Sequence, residues 1–267
     1  MNRRAPRSLV AVTALVYLFL HLPAFVLMLF SFNRSRFSVE WTGGTLEWYR
    51  RLADRTDILR ALRASVIVGL SATLVATALG TLIALGLARR RFRGRQAYEA
   101  MLYLPIVTPE IVVGISLLVL FAALGVPLGL TTITIAHVAF SISFVVVVVL
   151  ARLRGMDGTL EEAAMSLGAD ELTAFRRVTL PQLWPAIAAA ALLAFTLSFD
   201  DFVITFFVSG VGSTTLPLLV YAMVRRSIEP TVNAISTIIL LVTTLLVFAA
   251  DRLAVARAPR PRRRTAG

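Results

Sequence analysis

Three carboxylates stand inside long apolar runs of the sequence: Glu110 and the adjacent pair Asp200 and Asp201. An ionisable side chain at the centre of a membrane helix costs about 2.5–3.5 kcal/mol on insertion scales, so each is a candidate for function. Phe202, Phe206 and Phe207 follow the aspartates and can offer apolar walls and cation–π faces. Carboxylates with aromatic neighbours suit an organic cation. A pathway for such a cation needs separated carboxylates with apolar walls between them. Glu110 and one of Asp200 or Asp201 can supply the charges, with Phe202 and Phe206 as walls. Adjacent aspartates point about 100° apart on a helix, so at most one faces a pore centrally. The competing reading is that these carboxylates cap broken helices, or bond backbone freed near Pro109.

Other chemistry is poorly served. The chain has no cysteine, which removes disulfides, thiolate catalysis and thiolate-bound metals. It has no lysine, so all 27 basic residues are arginine and the usual phosphate-loop lysine is missing. Two histidines, His21 and His137, are too few for a histidine metal cluster and have no acidic neighbours in sequence. His137, near Ser141 and Ser143, reads as a histidine hydrogen-bonded across helices rather than a proton relay. No catalytic residue, metal site or cofactor is expected in this chain, and an intramembrane enzyme is a poor fit.

Composition says what must position the carboxylates. Of 267 residues, 58% are hydrophobic and 16% charged, against roughly 25% charged in a soluble domain. A net charge of +12 raises nucleic acid as a partner. The arginines instead cluster at the ends of apolar runs, as in membrane proteins, so no nucleic acid is expected. Runs of about 20 apolar residues can span the bilayer. Six are predicted, over 9–32, 64–88, 100–124, 130–150, 183–208 and 233–250, giving an all-α polytopic membrane protein with six transmembrane helices. The first run is too long for a signal-peptide core and reads as an uncleaved anchor. With both termini cytoplasmic, eighteen arginines fall inside and nine outside, as the positive-inside rule requires. Three regions follow: 1–60, an anchor span and an outer segment; 61–250, the main membrane body; and 251–267, a basic tail predicted to be disordered. The stretch from Thr45 to Leu62, with Trp48 and Tyr49, reads as an amphipathic helix at the outer interface. Gly69, Gly80 and Gly86 predict close helix packing in the second span.

The loop between spans four and five carries its own pattern. Thr159 and Glu162 fit a capping box. Leu160, Ala163, Ala164 and Leu167 form one apolar stripe, and Gly168 stands at a C-cap position. Asp170 can open a second short helix, which Pro181 stops or kinks. Such a small helix–Gly–helix unit must be covered, either by the chain's own spans or headgroups, or by the groove of a partner.

Glu162, Ala163 and Ala164, then Gly168 after three intervening residues, then Val178, Leu180 and Pro181, resemble the EAA loop of ABC importer permeases. Valine stands here for the isoleucine of that pattern. The stretches 104–121, 136–153, 197–210 and 216–241 resemble the spermidine/putrescine permeases, in particular the PotC type. That resemblance, covering nearly the whole chain, implies a type-I (MetI-like) bundle in the bacterial inner membrane. It implies that Glu162, Ala163, Ala164 and Gly168 form a coupling helix seated on an ATPase, with Leu180 and Pro181 framing the return to the bundle. It further implies a second permease of PotB type, two ATPase subunits that bind ATP and Mg, and a periplasmic binding protein. Permeases for ferric ion, thiamine or a phosphonate share the EAA loop, so the loop leaves the ligand open. A channel or secondary transporter without an ATPase would not need this loop, and often shows internal repeats.

Overall fold

The computed structural model describes residues 7–35, 40–90, 92–226 and 230–255. Among these the chain is helical, with one isolated antiparallel bridge between Asn33 and Gly44 and no strand. Backbone in lipid must satisfy its own N–H and C=O groups, and helices do so within one segment. In chain order they are α1 (Arg7–Phe30), α2 (Glu47–Asp54), α3 (Thr56–Arg89), α4 (Arg95–Val107), α5 (Glu110–Ala123) and α6 (Leu130–Arg154). There follow α7 (Thr159–Ser166), α8 (Glu171–Ala174), a π-turn (Phe175–Thr179), α9 (Leu180–Asp200), α10 (Val203–Val208), α11 (Leu216–Arg226) and α12 (Pro230–Val255). Among the described residues five stretches are long and apolar enough to cross a membrane: α1, α3, α6, Glu171–Asp200 and α12. They become six if the bent pair α4 and α5 is taken as one span.

That pair corrects the third predicted span, which is not one rod. The chain bends by 107° between α4 and α5. Proline has no N–H and pushes the residue before it out of the helical region. Thr108 is accordingly extended, at φ −76° and ψ 134°, and α5 begins directly after Pro109. The fifth span is also interrupted. It ends at Asp200, turns through an extended Asp201 (φ −65°, ψ 126°), and resumes as α10. Pro181, expected to stop or kink a helix, does not stop it: the π-turn distorts the helix just before it, and the run continues from Glu171 to Asp200. A wider i→i+5 turn leaves room where proline cannot donate to the carbonyl four residues back.

Two other expectations change. The outer amphipathic stretch is split at Arg55: α2 is separate, and the residues from Thr56 are the start of the long helix α3. Trp48 is buried rather than exposed as an interface anchor, and its indole Nε1–H donates to the Asn33 carbonyl at 2.7 Å. The basic tail is helical up to Val255; the remainder of 251–267 lies outside the described residues.

The chain divides into two compact units, Met1–Arg60 with Leu219–Val242, and Ala61–Leu218 with Thr243–Gly267. In the first, Asn33 is fully buried and ties its loop together. Its amide donates to the Glu40 carbonyl at 2.6 Å and its side-chain oxygen accepts the Thr42 N–H at 3.0 Å. The hydroxyls of Ser31 and Tyr49 meet at 2.6 Å in the same unit.

The second unit holds the candidate site. α3, α6 and α9 meet through Ala76, Ala84, Leu87, Val145, Val149, Leu183, Ala190 and Ala194. Small residues let helices approach where lipid provides no hydrophobic drive. Gly80 shows how close: a Cβ there would stand 2.7 Å from Val145 Cγ1. Gly69 faces Phe195 at 3.0 Å in the same sense, whereas Gly86 faces open space and does not belong to this packing. A second cluster joins α5, α6 and α10 to α3 through Val68, Phe121, Ile133, Ala136, Ile204 and Val208.

Candidate functional site

The loop between α6 and α9 is built on two short helices and a glycine. The capping box does not form. Asp157 instead accepts the Thr159 N–H at 3.0 Å, so Thr159 lies inside the first turn of α7 and not at its cap. The bonds from Thr159 hold the Asp157 carboxyl below the usual carboxylate range. Asp170, capping α8, is lowered in the same way by Thr173. Both carboxyls therefore stay ionised at neutral pH, and what these bonds contribute is lost as pH falls through that lowered range. Gly168 has φ +95°, a conformation that favours glycine. Around it the Ala169 N–H reaches the Ala164 carbonyl at 3.1 Å and the Gly168 N–H reaches Met165 at 2.9 Å. These are the bonds of a Schellman motif, and they turn the chain sharply from α7 toward α8.

Glu161, a neighbour the motif ignores, anchors this loop. Its carboxylate pairs with Arg89 at the end of α3 at 2.6 Å and accepts the Thr179 hydroxyl. Arg89 also pairs with Glu171 at 3.3 Å and lies over the Phe175 ring, 5.1 Å from its centroid. One guanidinium thus braces α7, α8 and the π-turn against α3. Glu162, Ala163 and Gly168 are left exposed, Ala164 and Leu180 are half-buried, and Pro181 is exposed. Leu167, at the tip of the apolar stripe, is 90% exposed. Among the described residues nothing covers that stripe's end.

The second polar centre lies within the helices. His137 of α6 is 2% exposed. Its Nδ1 is 2.7 Å from Ser198 Oγ, and its Nε2 is 3.1 Å from Asp201 Oδ2 and 3.0 Å from Thr205 Oγ1. One neutral tautomer satisfies all of these. The Ser198 hydroxyl donates to Nδ1, and Nε2–H donates toward Asp201 and Thr205. Asp201 also accepts the Thr205 N–H at 2.8 Å, the Thr205 hydroxyl at 2.8 Å and the Ile204 N–H at 3.3 Å. So Asp201 caps the broken end of α10 while gripping His137. His137 thus has an acidic neighbour after all, supplied by a residue 64 positions away. The cross-helix hydrogen bonds expected of it are present.

Asp200 points elsewhere. It lines a cleft of about 510 Å³ with Thr196, Thr243, Thr244, Val247 and Phe248. The aspartate pair is therefore divided, with Asp201 bonded into the helix break and Asp200 open to the cleft. Thr196 was missed in the sequence, although its place one helical turn before Asp200 could have found it. The threonines of α12 had no such signal, because no local pattern links them to Asp200. Glu110 is exposed at the start of α5, just past the bend. Phe202 is half-buried and Phe206 half-exposed, with ring centroids 5.7 Å apart. Phe207 seats on Gly114 of α5, where a Cβ would come within 2.7 Å of Phe207 Cδ2. Neither Glu110 nor Phe202 nor Phe206 lines the Asp200 cleft.

Apolar spans, two of them interrupted, with carboxylates at the interruptions and a braced loop between two spans define a membrane transport subunit. Residues 76–263 match the family of binding-protein-dependent transport system inner membrane components. The chain belongs to that family. It is 41% identical to the spermidine/putrescine transport system permease protein PotC of Escherichia coli K12, over 90% of both chains. It is also 41% identical to the putrescine transport system permease protein PotI of the same strain, over 97% of this chain and 94% of that one. A crystal structure of a bacterial ABC transporter involved in the import of the acidic polysaccharide alginate superposes with a TM-score of 0.72. It covers 94% of this chain and 95% of that chain at 16% identity, a likeness of fold. The type-I permease architecture is thereby established, and with it the chain's place as a membrane-embedded permease subunit.

Proposed function

We propose that this chain forms half of the translocation pathway of an ATP-driven importer for polyamines such as spermidine or putrescine. One observation carries the substrate class: the Asp200 carboxylate opens onto a cleft that also holds three threonines and an apolar wall of Val247 and Phe248. A carboxylate with hydroxyls takes an ammonium group, and Val247 and Phe248 accept the methylene stem. An anionic substrate would meet the wrong charge. The polyamine permeases at 41% identity support the same class. Glu110, with Phe202 and Phe206, supplies a second, separate station on the pathway.

In this reading both termini are cytoplasmic, and Glu162, Ala163, Ala164 and Gly168 seat on an ATPase subunit. Two such subunits bind ATP with Mg and hydrolyse it, and this chain does neither. A second, different permease completes the cavity, and a periplasmic binding protein delivers the polyamine. ATP-driven closure of the ATPases moves the loop, and the bundle alternates between two packings of its helices. Uptake of labelled spermidine or putrescine into vesicles holding the full assembly tests this. Uptake that needs both ATP and binding protein, and is displaced by unlabelled polyamine, is the expected result. ATP-dependent assembly without polyamine uptake would leave the permease reading and remove the substrate.

A further inference from the structure

We propose that His137 is a positioning residue for transport, holding the break between α9 and α10 so that Asp200 is presented to its cleft. The proposal rests on the reading of Asp200 as part of the pathway. A helix interrupted in lipid leaves carbonyls at one end and N–H groups at the other without partners. Asp201 answers the N–H side by accepting from Ile204 and Thr205. A carboxylate used in this way, with its side chain 9% exposed, needs donors of its own. The Thr205 hydroxyl and His137 Nε2–H supply them.

His137 does more than satisfy a charge. Its ring bonds Ser198 on the upstream side of the break and Asp201 with Thr205 on the downstream side. It is carried by α6, which packs along both α9 and α10. A rigid, planar ring with two bonded nitrogens therefore fixes the residues on either side of Asp200. With Ser198 and Asp201 both tied inward to α6, the intervening Asp200 is turned toward the cleft of Thr196, Thr243, Thr244, Val247 and Phe248. If His137 lets go, the break is free to rotate or to re-form as helix, and the Asp200 carboxylate moves while the lining of the cleft stays.

The absence of cysteine makes this directly measurable. Asp200→Cys places a single thiol in this chain, and its modification by a small cationic methanethiosulfonate is followed by the mass of this chain within the full assembly. With that buried bond gone, His137→Leu or Thr205→Val is expected to change the modification rate at least about fivefold. His137→Gln, which keeps an N–H where Nε2 stood, is expected to stay within about twofold. Thr205→Val conserves volume and serves if His137→Leu does not assemble. Unchanged rates in both would overturn the proposal.

Uptake gives the second readout. Asp200→Asn and His137→Leu are each expected to raise the polyamine KM about tenfold. The double variant should be no worse than the poorer single, because His137 acts through Asp200. Additive losses would overturn the proposal. If labelling responds to His137 while Asp200→Asn transports normally, the positioning of residue 200 stands and the pathway reading above is what fails.

Discussion

The two polar centres of this chain solve opposite problems. Around His137 both ring nitrogens and the Asp201 carboxylate find partners inside the protein. Around Glu161 the Arg89 pair brings a motif to the surface and then leaves the motif's own residues exposed. The buried centre fixes a break in a helix, and the surface centre aims a loop. Their bonds look alike in length and differ in consequence. An exposed ion pair contributes about 0.2–1 kcal/mol, whereas stranding a buried polar group costs about 1–3 kcal/mol for each group left unpaired.

The largest expected effect follows from that contrast. Asp201→Leu strands His137, the Thr205 hydroxyl and two backbone N–H groups together. A loss of about 3 kcal/mol or more in the solubilised assembly is expected, seen as a marked fall in thermal midpoint. A midpoint unchanged from the parent would mean the buried centre is no stronger than the surface one, and the comparison would collapse.

Gly168→Val comes next. A branched residue at φ +95° strains the turn between α7 and α8 by on the order of 1–2 kcal/mol. The strain is confined to a loop, so the helical body should keep its thermal midpoint while ATP-dependent uptake falls at least about tenfold. Uptake close to that of the parent would show that the angle of the loop is not what the partner reads.

Arg89→Ala is smaller for stability, although Arg89 meets Glu161, Glu171 and the Phe175 ring of the loop. Its side chain is 34% exposed, so solvent screening holds the loss to about 1 kcal/mol or less. The loop loses its brace to α3 all the same, and co-purification with the ATPase should weaken. Restoring co-purification with the paired charge reversal of Arg89→Glu and Glu161→Arg would tie the effect to that bond.

The sequence disclosed these centres unequally. The EAA spacing is local, so Glu162, Ala163, Ala164 and Gly168 were found together, and the left-handed Gly168 followed from its place after α7. The brace was not legible, since Arg89 and Glu161 are 72 positions apart and neither breaks a pattern. The capping box failed because Asp157, two residues upstream, competes for the same N–H. Burial arguments picked out Asp200 and Asp201 but had no means of separating their roles. That separation depends on a break in a helix, and apolar periodicity does not register a break. Pro109 flagged the other interruption, yet a proline gives no size for a bend, and 107° had to be seen.

Glu162→Lys against Glu161→Lys is the finest test, because the two residues are adjacent and chemically identical. Glu161 is bonded inward to Arg89 and Thr179, so a lysine there places a second cation against the first and frees the loop from α3. Glu162 is exposed, so a lysine should leave the stability of the solubilised chain within about 0.5 kcal/mol of the parent. Both variants should lose ATPase association, but for different reasons. Salt offers a way to tell them apart. Repulsion between exposed charges is screened within about 8 Å at physiological ionic strength, so added salt should partly recover binding lost to a wrong charge at the docking face. A loop displaced by Glu161→Lys is out of place at any ionic strength. If instead both variants respond to salt alike, the distinction between a residue that aims the loop and one that faces the partner is lost, and Glu161 belongs to the docking face as much as Glu162 does.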